Sequence, residues 1–128
     1  MAGVFEHPVD VRWRDTDALG HVNHAVFLTY LEEGRDALYA HVLGSEPIYV
    51  VVRLEVDLHA EVRHQDRQVL VQIEVERIGT TSLTTRETVR TSSCVAAQAR
   101  VVTVRWDADL REPVAFSEAE RARLAAFQ

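Results

Sequence analysis

Hydrophobic residues recur along the chain with two different spacings, and each spacing predicts an element. Val9, Val11 and Trp13 alternate with polar residues, which indicates a short, half-buried strand. From about residue 24 to residue 43, hydrophobic positions fall three and four residues apart, which predicts a helix with one apolar face. The members of that face are Phe27, Leu31, Gly34, Leu38 and Val42. Gly44 follows as a natural end of the helix.

A glycine inside the predicted helix carries information about packing. Gly34 costs about 1 kcal/mol of helix stability relative to alanine. A close approach of sheet backbone at this point would explain why the chain tolerates the cost. We therefore expect the helix to pack against a sheet.

Alternation with a period of two returns after the helix and continues from Pro47 to Trp106. It predicts four consecutive strands, at about 48–58, 69–76, 82–93 and 94–106. In the last of them the alternation slips at Val101 and Val102, which suggests a bulge or burial on both faces.

The chain ends with a capping-box pattern, Ser117 with Glu120, which predicts a short terminal helix. The predicted order is one strand, one long helix and four strands in a row. Antiparallel strands joined by short loops, with a helix on one face, give an α+β fold.

Composition narrows the classes of function. The 128 residues fit a single domain, and 47% hydrophobic with 27% charged residues is ordinary for a globular protein. A chain of this size buries only about two-thirds of its unfolded surface, so self-association to a homodimer or to a tetramer built from dimers is expected. The net charge of −6 argues against nucleic-acid binding, for which a basic face is typical.

The sequence also predicts a compartment. Cys94 is the single cysteine, so no disulfide can form within the chain and a reducing compartment is allowed. The first residues show no basic region followed by an apolar run, and no stretch is long enough to cross a bilayer. We expect a cytoplasmic protein with no membrane partner.

The segment from residue 14 to residue 25 carries the chemistry. Asp15, Asp17, His21 and His24 fall within ten residues, directly before the predicted helix. Asn23 is a good N-cap, because its side chain can accept from a backbone N–H of the first turn. The start of a helix has unpaired N–H groups and a partial positive charge, which suit a developing oxyanion. A carboxylate at the same place can act as nucleophile or general base, so the pattern suggests hydrolysis of an acyl compound.

Two other interpretations of the segment stay open at this point. Asp15 and Asp17 could be turn residues, a position that aspartate favours. His21 and His24 could bind zinc together with an aspartate, but no third strong ligand is evident. We therefore expect neither a bound metal nor any other cofactor.

The chain resembles the hotdog-fold thioesterases of the 4-hydroxybenzoyl-CoA thioesterase class, including the branch that acts on fatty acyl-CoA. The resemblance begins with Arg-x-x-Asp-Thr-Asp and Gly-His-Val-Asn, and it spans about residues 9–124. The segments that carry it are 12–17, 20–23, the aromatic-rich 27–33, the turn 78–82, and 101–104 with Asp107 and 111–113.

The resemblance implies a long helix wrapped by an antiparallel sheet of about five strands, with two copies forming a dimer and active sites at their interface. It implies that Asp17 is the catalytic carboxylate, acting directly or through a water. The backbone N–H of His24, next to the N-cap Asn23, would polarise the thioester carbonyl. Two departures from the family are His24 in place of a second asparagine, and Phe27 in place of tyrosine.

The resemblance also implies the partners. The substrate would be an acyl-CoA or an acyl-carrier-protein thioester, and its CoA part would not be a cofactor. Basic residues of one loop, Arg63, His64 and Arg67, could meet phosphates. The residues expected to bind substrate are Gly20, His21, Val22, Phe27, Arg63, His64, Gly79, Thr80, Thr81 and Ser82.

Two rival functions fit the same fold. One is a non-catalytic acyl-binding domain, against which the presence of Asp17 counts. The other is a hydratase or dehydratase, which would need a differently placed Asp/His pair, since fold alone does not dictate function.

Overall fold

The computed structural model describes residues 3–44 and 48–128. Pro47, where the alternating pattern begins, lies outside the described residues. The elements, in chain order, are strands and helices that we label β1 to β6 and α1 to α2, with 3₁₀ turns at Trp13–Asp15 and His64–Asp66. Their bounds are β1 Phe5–Asp10, α1 His24–Leu43, β2 Tyr49–Leu58, β3 Gln68–Ile78, β4 Ser82–Arg90, β5 Val95–Asp107, β6 Glu112–Pro113 and α2 Glu118–Ala125.

The strands form one antiparallel sheet in the order β1-β3-β4-β5-β2, and β6 pairs with the end of β5. The sheet curls around α1, and the hydrophobic core lies between them. The predicted α+β architecture is confirmed, with the short β6 as an addition. This topology leaves β1 and β2 at the two edges of the sheet.

The long helix α1 has the predicted bounds. The side chain of Asn23 accepts a hydrogen bond from the N–H of Ala25, and Gly44 closes the helix in the left-handed conformation, with φ of 69°. All five residues of the predicted apolar face are buried. Neither α1 nor α2 is long and apolar enough to cross a lipid bilayer.

The close approach expected at Gly34 is confirmed. A Cβ atom placed on Gly34 would lie 2.9 Å from Cβ of Val71 on β3, closer than side chains come in folded proteins. The helix backbone therefore packs on the side chain of Val71, rather than on sheet backbone as expected, and only glycine allows that distance.

A buried ion pair joins α1 to the middle of the sheet. Arg35 donates from Nε and Nη2 to the two carboxylate oxygens of Glu87, at 3.0 and 2.9 Å, and Thr85 donates its hydroxyl to the same carboxylate at 2.7 Å. Both charged side chains are almost fully buried. Such a pair must be hydrogen-bonded on both sides to offset its desolvation, and here it fixes the helix against β4.

The first predicted strand was wrong in its bounds. β1 is Phe5–Asp10, and its pairing with β3 ends at Asp10 with Gln68. The chain then turns into a 3₁₀ segment, so Trp13 is not a strand residue and 76% of its surface is exposed. The alternation continued past the strand because Val11 is still buried in the core.

The strand β2 has the predicted position but an unexpected environment. Among the described strands only β5 pairs with it, and large apolar side chains are exposed on both of its faces. The expected bulge exists as a shift of register between Val51 and Arg53 of β2, so the extra residue lies on the strand opposite Val102. The predicted terminal helix is confirmed, with Ser117 and Glu120 forming the capping box.

Candidate active site

The loop between β1 and α1 is a tight turn built on Asp17. The N–H of Gly20 donates to the carbonyl of Asp17 at 3.0 Å, and the N–H of Leu19 donates to Asp17 Oδ1 at 2.9 Å. Gly20 has φ of 81°, a conformation that glycine adopts without strain. Asp17 therefore has the turn role that aspartate favours, but this role uses only one of its two carboxylate oxygens.

Neighbouring backbone holds this turn against the sheet and the helix. The N–H of Val22 donates to the carbonyl of Val62 at 2.7 Å, and the N–H of Asn23 donates to the carbonyl of Asp15 at 3.0 Å. Val22 itself is buried in the core. The segment that follows β2 is thereby held opposite Asp17.

The second carboxylate oxygen of Asp17 faces Asn23 and His21. Asn23 donates from Nδ2 to Asp17 Oδ2 at 3.3 Å, while its Oδ1 accepts from Ala25 at 3.0 Å. The helix cap therefore determines which way the amide points, and the amide in turn orients the carboxylate. His21 Nε2 lies 3.8 Å from Asp17 Oδ2, and the Asp17 side chain is 28% exposed.

Asp17 lies in the wall of a cavity of about 400 Å³. Apolar side chains from the turn, α1 and β2 line one part of it, and carboxylates and imidazoles line the other. The lining residues are Asp17, Leu19, His21, Val22, His24, Phe27, Leu58, His59, Ala60 and Glu61. A mostly apolar cavity with a few convergent polar groups is typical of a small-molecule site.

The first backbone N–H of α1 belongs to His24, one of the residues that line this cavity. Among the described residues, no acceptor lies within hydrogen-bond distance of the N–H of His24, whereas those of Ala25 and Val26 both bond to Asn23. An N–H at the first helical position has no partner within the helix. It can donate to an oxygen atom of a bound molecule.

Asp15 lies behind this turn and has no access to the cavity. Its Oδ2 accepts from the hydroxyl of Tyr30 at 2.7 Å and from the backbone N–H of Arg12 at 2.9 Å. Burial by itself would raise the pKa of Asp15, but these hydrogen bonds outweigh it and lower the pKa below its ordinary value. Burial and the Asp15 carboxylate both raise the pKa of Tyr30, so the pair stays as carboxylate and hydroxyl.

A second cavity, of about 560 Å³, is also lined by Asp17. Arg63 and His64 line it together with Arg14, Gly20 and the exposed ring of Trp13, among others. The structure therefore brings the predicted basic loop beside the turn that holds Asp17. Arg67 does not line either cavity.

Comparison with known proteins identifies the family of this chain. The family model of the thioesterase-like superfamily matches residues 11–124. The chain belongs to the thioesterase-like superfamily. The predicted family and the hotdog fold are thereby confirmed, and the chain is a thioester hydrolase. No match was found among curated proteins.

Solved structures of the family share the whole fold. A predicted thioesterase from Bacillus stearothermophilus is 28% identical, with TM-score 0.85 over 95% of this chain and 94% of the other. A thioesterase from Thermus thermophilus, complexed with coenzyme A and Zn, is 32% identical, with TM-score 0.82 over 98% and 94%. A 1,4-dihydroxy-2-naphthoyl-CoA thioesterase from Synechocystis has the same fold at 16% identity, with TM-score 0.76 over 96% of each chain.

Within this family member, one group of predicted substrate residues lies apart from the rest. The turn Gly79–Ser82 joins the end of β3 to β4, whereas Asp17 lies beyond the end of the sheet where β3 begins. The 11 residues of β3 separate the two places by about 30 Å. The single chain thus does not bring this turn to Asp17.

Sequence reasoning missed several residues that line the thioesterase cavity, above all Glu61, His59 and Leu58. They come from the end of β2 and the segment after it. They lie beside Asp17 because Val62 accepts a hydrogen bond from Val22, a contact between residues 40 positions apart. No local pattern marks such a contact.

The structure offers no obvious metal centre in the parts that it describes. Among residues 3–44 and 48–128, no three His, Cys, Asp or Glu side chains are grouped so as to hold an ion. The expectation of metal-free chemistry stays a prediction, which activity after chelation can test.

Proposed function

We propose that this chain hydrolyses acyl-CoA thioesters to a free acid and the CoA thiol. The observation that carries the proposal is the meeting of two groups at one cavity. One is the carboxylate oxygen of Asp17 that the turn does not use, and the other is the N–H of His24, which has no acceptor among the described residues; both residues line the cavity. Acyl transfer needs both an attacking group and a donor to the oxyanion.

In the proposed mechanism, the thioester carbonyl oxygen accepts the hydrogen bond of the His24 N–H. Asp17 then attacks the carbonyl carbon or removes a proton from a water that attacks it. Asn23 keeps Oδ2 of Asp17 oriented towards the reacting carbon. Phe27 and Leu58 provide an apolar wall for the acyl group. This chain has Phe27 where the family it resembles has tyrosine. The wall therefore lacks a hydroxyl that could select polar acyl groups.

Coenzyme A is the favoured carrier for two reasons. The Thermus relative, 32% identical, was crystallised in complex with coenzyme A. In this chain Arg14 and Arg63 line the second cavity beside Asp17, where guanidinium groups could bind phosphates. The exposed ring of Trp13 adds an aromatic surface to the same cavity.

We also propose that the active species is a dimer joined through the β2 edges. Within residues 3–44 and 48–128, β2 has one free edge, and it carries the exposed apolar side chains of Val51, Val52, Leu54 and Leu58. An uncovered apolar edge favours pairing with another strand. A second copy satisfies this edge by two-fold symmetry, because the same strand then pairs with itself in antiparallel direction. Leu58 also lines the cavity, so the partner would lie beside the site.

The same pairing would bring the turn Gly79–Ser82 of one subunit near Asp17 of the other. Antiparallel pairing of two β2 strands puts the end of one sheet that carries the turn Gly79–Ser82 next to the end of the other sheet that lies near Asp17. The turn of the partner would then lie on the same side as Asp17, at a distance that the single chain does not allow. In this way the predicted substrate residues of the turn would serve the partner's site.

A panel of acyl-CoAs tests the reaction. Wild-type protein is incubated with short, long and aromatic acyl-CoAs, and free thiol is measured over time. Thiol release supports the proposal. Hydration of an enoyl-CoA without thiol release would point to a hydratase, and binding without turnover would point to an acyl-binding domain. A crystal structure with bound CoA would then locate the carrier.

Light scattering over a dilution series tests the assembly. We expect a mass of at least twice 14.5 kDa for the wild type. Leu54→Lys should produce monomers, because it places a charge at the centre of the paired edges. Leu110→Lys is the matched control, since Leu110 is also exposed but lies in the turn after β5. An active wild-type monomer would refute the dimer.

A further inference from the structure

The imidazole of His21 lies between two carboxylates. Its Nε2 is 3.8 Å from Oδ2 of Asp17, and its Nδ1 is 3.5 Å from Oε1 of Glu61. The side chain is 33% exposed, at the wall of the cavity that also contains His24 and His59. An imidazolium has two N–H donors, and here each ring nitrogen faces one carboxylate.

The backbone explains why these three side chains meet. His21 closes the turn, since its carbonyl accepts from the N–H of Asp17 at 3.0 Å. The next residue, Val22, bonds to the carbonyl of Val62, which places Glu61 on the opposite side of the imidazole. The arrangement therefore joins two segments that are 40 residues apart.

The proposed hydrolysis has one proton transfer without a donor. Asp17 supplies the attacking group or the base, and the His24 N–H supplies the oxyanion donor. When Asp17 attacks directly, neither of them carries a proton for the sulfur atom that leaves. An alkyl thiol has a pKa of about 8.5, so a positioned acid near neutral pH lowers the barrier to its departure.

We propose that His21 is the proton donor to the leaving thiolate, and that Glu61 is the positioning residue that holds its ring. This inference rests on the proposed function. The carbon–sulfur bond breaks with its electron pair going to sulfur, and the Nε2 proton of His21 moves to that sulfur as the thiol forms. If water attacks, Asp17 takes a proton from it and then returns that proton to His21 across the 3.8 Å gap. If Asp17 attacks, the water that later cleaves the anhydride gives its proton to His21.

The other imidazoles at the cavity do not fit this role. His59 Nε2 is hydrogen-bonded to Gln98 at 3.0 Å, and in the proposed mechanism His24 acts through its backbone N–H. Among the described residues, His21 is the one histidine whose ring nitrogen lies within 4.0 Å of Asp17. The charged or titratable groups that line this cavity are Asp17, Glu61, His21, His24 and His59.

The decisive test compares two thioesters of the same acid. One has an alkyl thiol as leaving group, as in CoA, and the other has an aryl thiol, whose thiolate leaves without protonation. For His21→Gln we expect kcat on the alkyl thioester to fall about 10²-fold or more. On the aryl thioester the loss should be within about threefold, because the donor is not needed. His7→Gln is the matched control, since His7 lies on β1 and lines neither cavity.

The variant Glu61→Gln gives the second measurement. Glu61→Gln should lower kcat on the alkyl thioester by about three- to tenfold, the effect of one partly exposed charge pair. On the aryl thioester Glu61→Gln should leave kcat unchanged, the same selectivity for the leaving group that is expected of His21→Gln. Circular dichroism confirms that each variant is folded.

The outcomes separate the two proposals. Equal losses on both thioesters would give His21 a structural role and overturn this inference alone. Unchanged activity of His21→Gln on the alkyl thioester would also overturn it. A wild type that releases no thiol from either ester would overturn the proposed function and this inference with it.

Discussion

Asp15 and Asp17 belong to one short motif, but their carboxylates have opposite surroundings. Asp15 is buried, and Tyr30 and Arg12 donate hydrogen bonds to one of its oxygens. Asp17 is partly exposed, and one of its oxygens has Asn23 as its hydrogen-bond donor within the described chain. Both residues also take part in turns, so the turn preference of aspartate does not distinguish them.

The difference shows how two residues of the same type in one motif can have different roles. A carboxylate that is enclosed by donors is fixed in charge and position, and it stabilises the loop. A carboxylate with one oxygen held by the turn and the other open to a cavity keeps its geometry while remaining able to react. The comparison predicts which variants change activity and which change stability.

The largest effect is expected from Asp17→Asn. The amide oxygen can still accept from Leu19, so the turn should survive, but the negative charge is lost. We expect kcat to fall by about 10² to 10⁴, the range typical of a general base or nucleophile. Thiol release measures the loss, and the urea midpoint should move little. A variant as active as the wild type would show that Asp17 is only a turn residue.

The next effect concerns the oxyanion donor that faces Asp17. His24→Pro removes one N–H at the first helical position, where proline is well tolerated. Loss of such a donor costs about 3–4 kcal/mol in the barrier, or a fall in kcat of about 10² to 10³. His24→Asn keeps the backbone donor and should stay active. If the proline variant is folded and fully active, the donor is elsewhere; if the asparagine variant is inactive, the imidazole acts.

Asp15→Asn should give the reverse result, a change of stability with far less change of rate. Hydrogen bonds to a charged group contribute about 1.5–3 kcal/mol to the free energy of unfolding. The pKa of Asp15 is lowered on folding, so its contribution is complete above the unfolded pKa and is lost as pH falls through the folded pKa. The free energies of unfolding of the wild type and of Asp15→Asn, measured in urea, should therefore differ at neutral pH and become equal in acid. Asp109→Asn, in an exposed turn, is the control.

The smallest effect is expected from chelation. Among the described residues, no three His, Cys, Asp or Glu side chains are grouped so as to hold a metal ion. Activity should therefore stay the same after treatment with a chelator and dialysis. A large loss that zinc restores would mean that an ion, rather than the protein environment, distinguishes Asp17 from Asp15.

Much of the fold was predictable because its signals are local. The spacing of apolar residues predicted the extent of α1. The residue types at Asn23 and Gly44 predicted its N-cap and its end. The low helix propensity of glycine at position 34 indicated the contact with the sheet. These features depend on residues within one or two turns of each other, or on one steric fact such as the space at Gly34.

The rest depends on contacts between distant parts of the chain. Glu87 occupies a buried position on β4 because Arg35, 52 residues earlier, pairs with it. Neither residue shows this in its own segment. Glu61 reaches the cavity through the bond between Val22 and Val62. The alternating pattern continues to Trp13 although β1 ends at Asp10. Periodicity alone does not show where the pairing with a neighbouring strand ends.

The buried pair of Arg35 and Glu87 has a consequence for how this sequence can diverge. Replacing one member leaves the other charge buried without a partner, which costs about 3–5 kcal/mol, whereas joint replacement by apolar residues is close to neutral or stabilising. Most domains have only about 5–15 kcal/mol of stability in total. Single steps at either position are therefore selected against, and the two positions should change together or not at all among relatives.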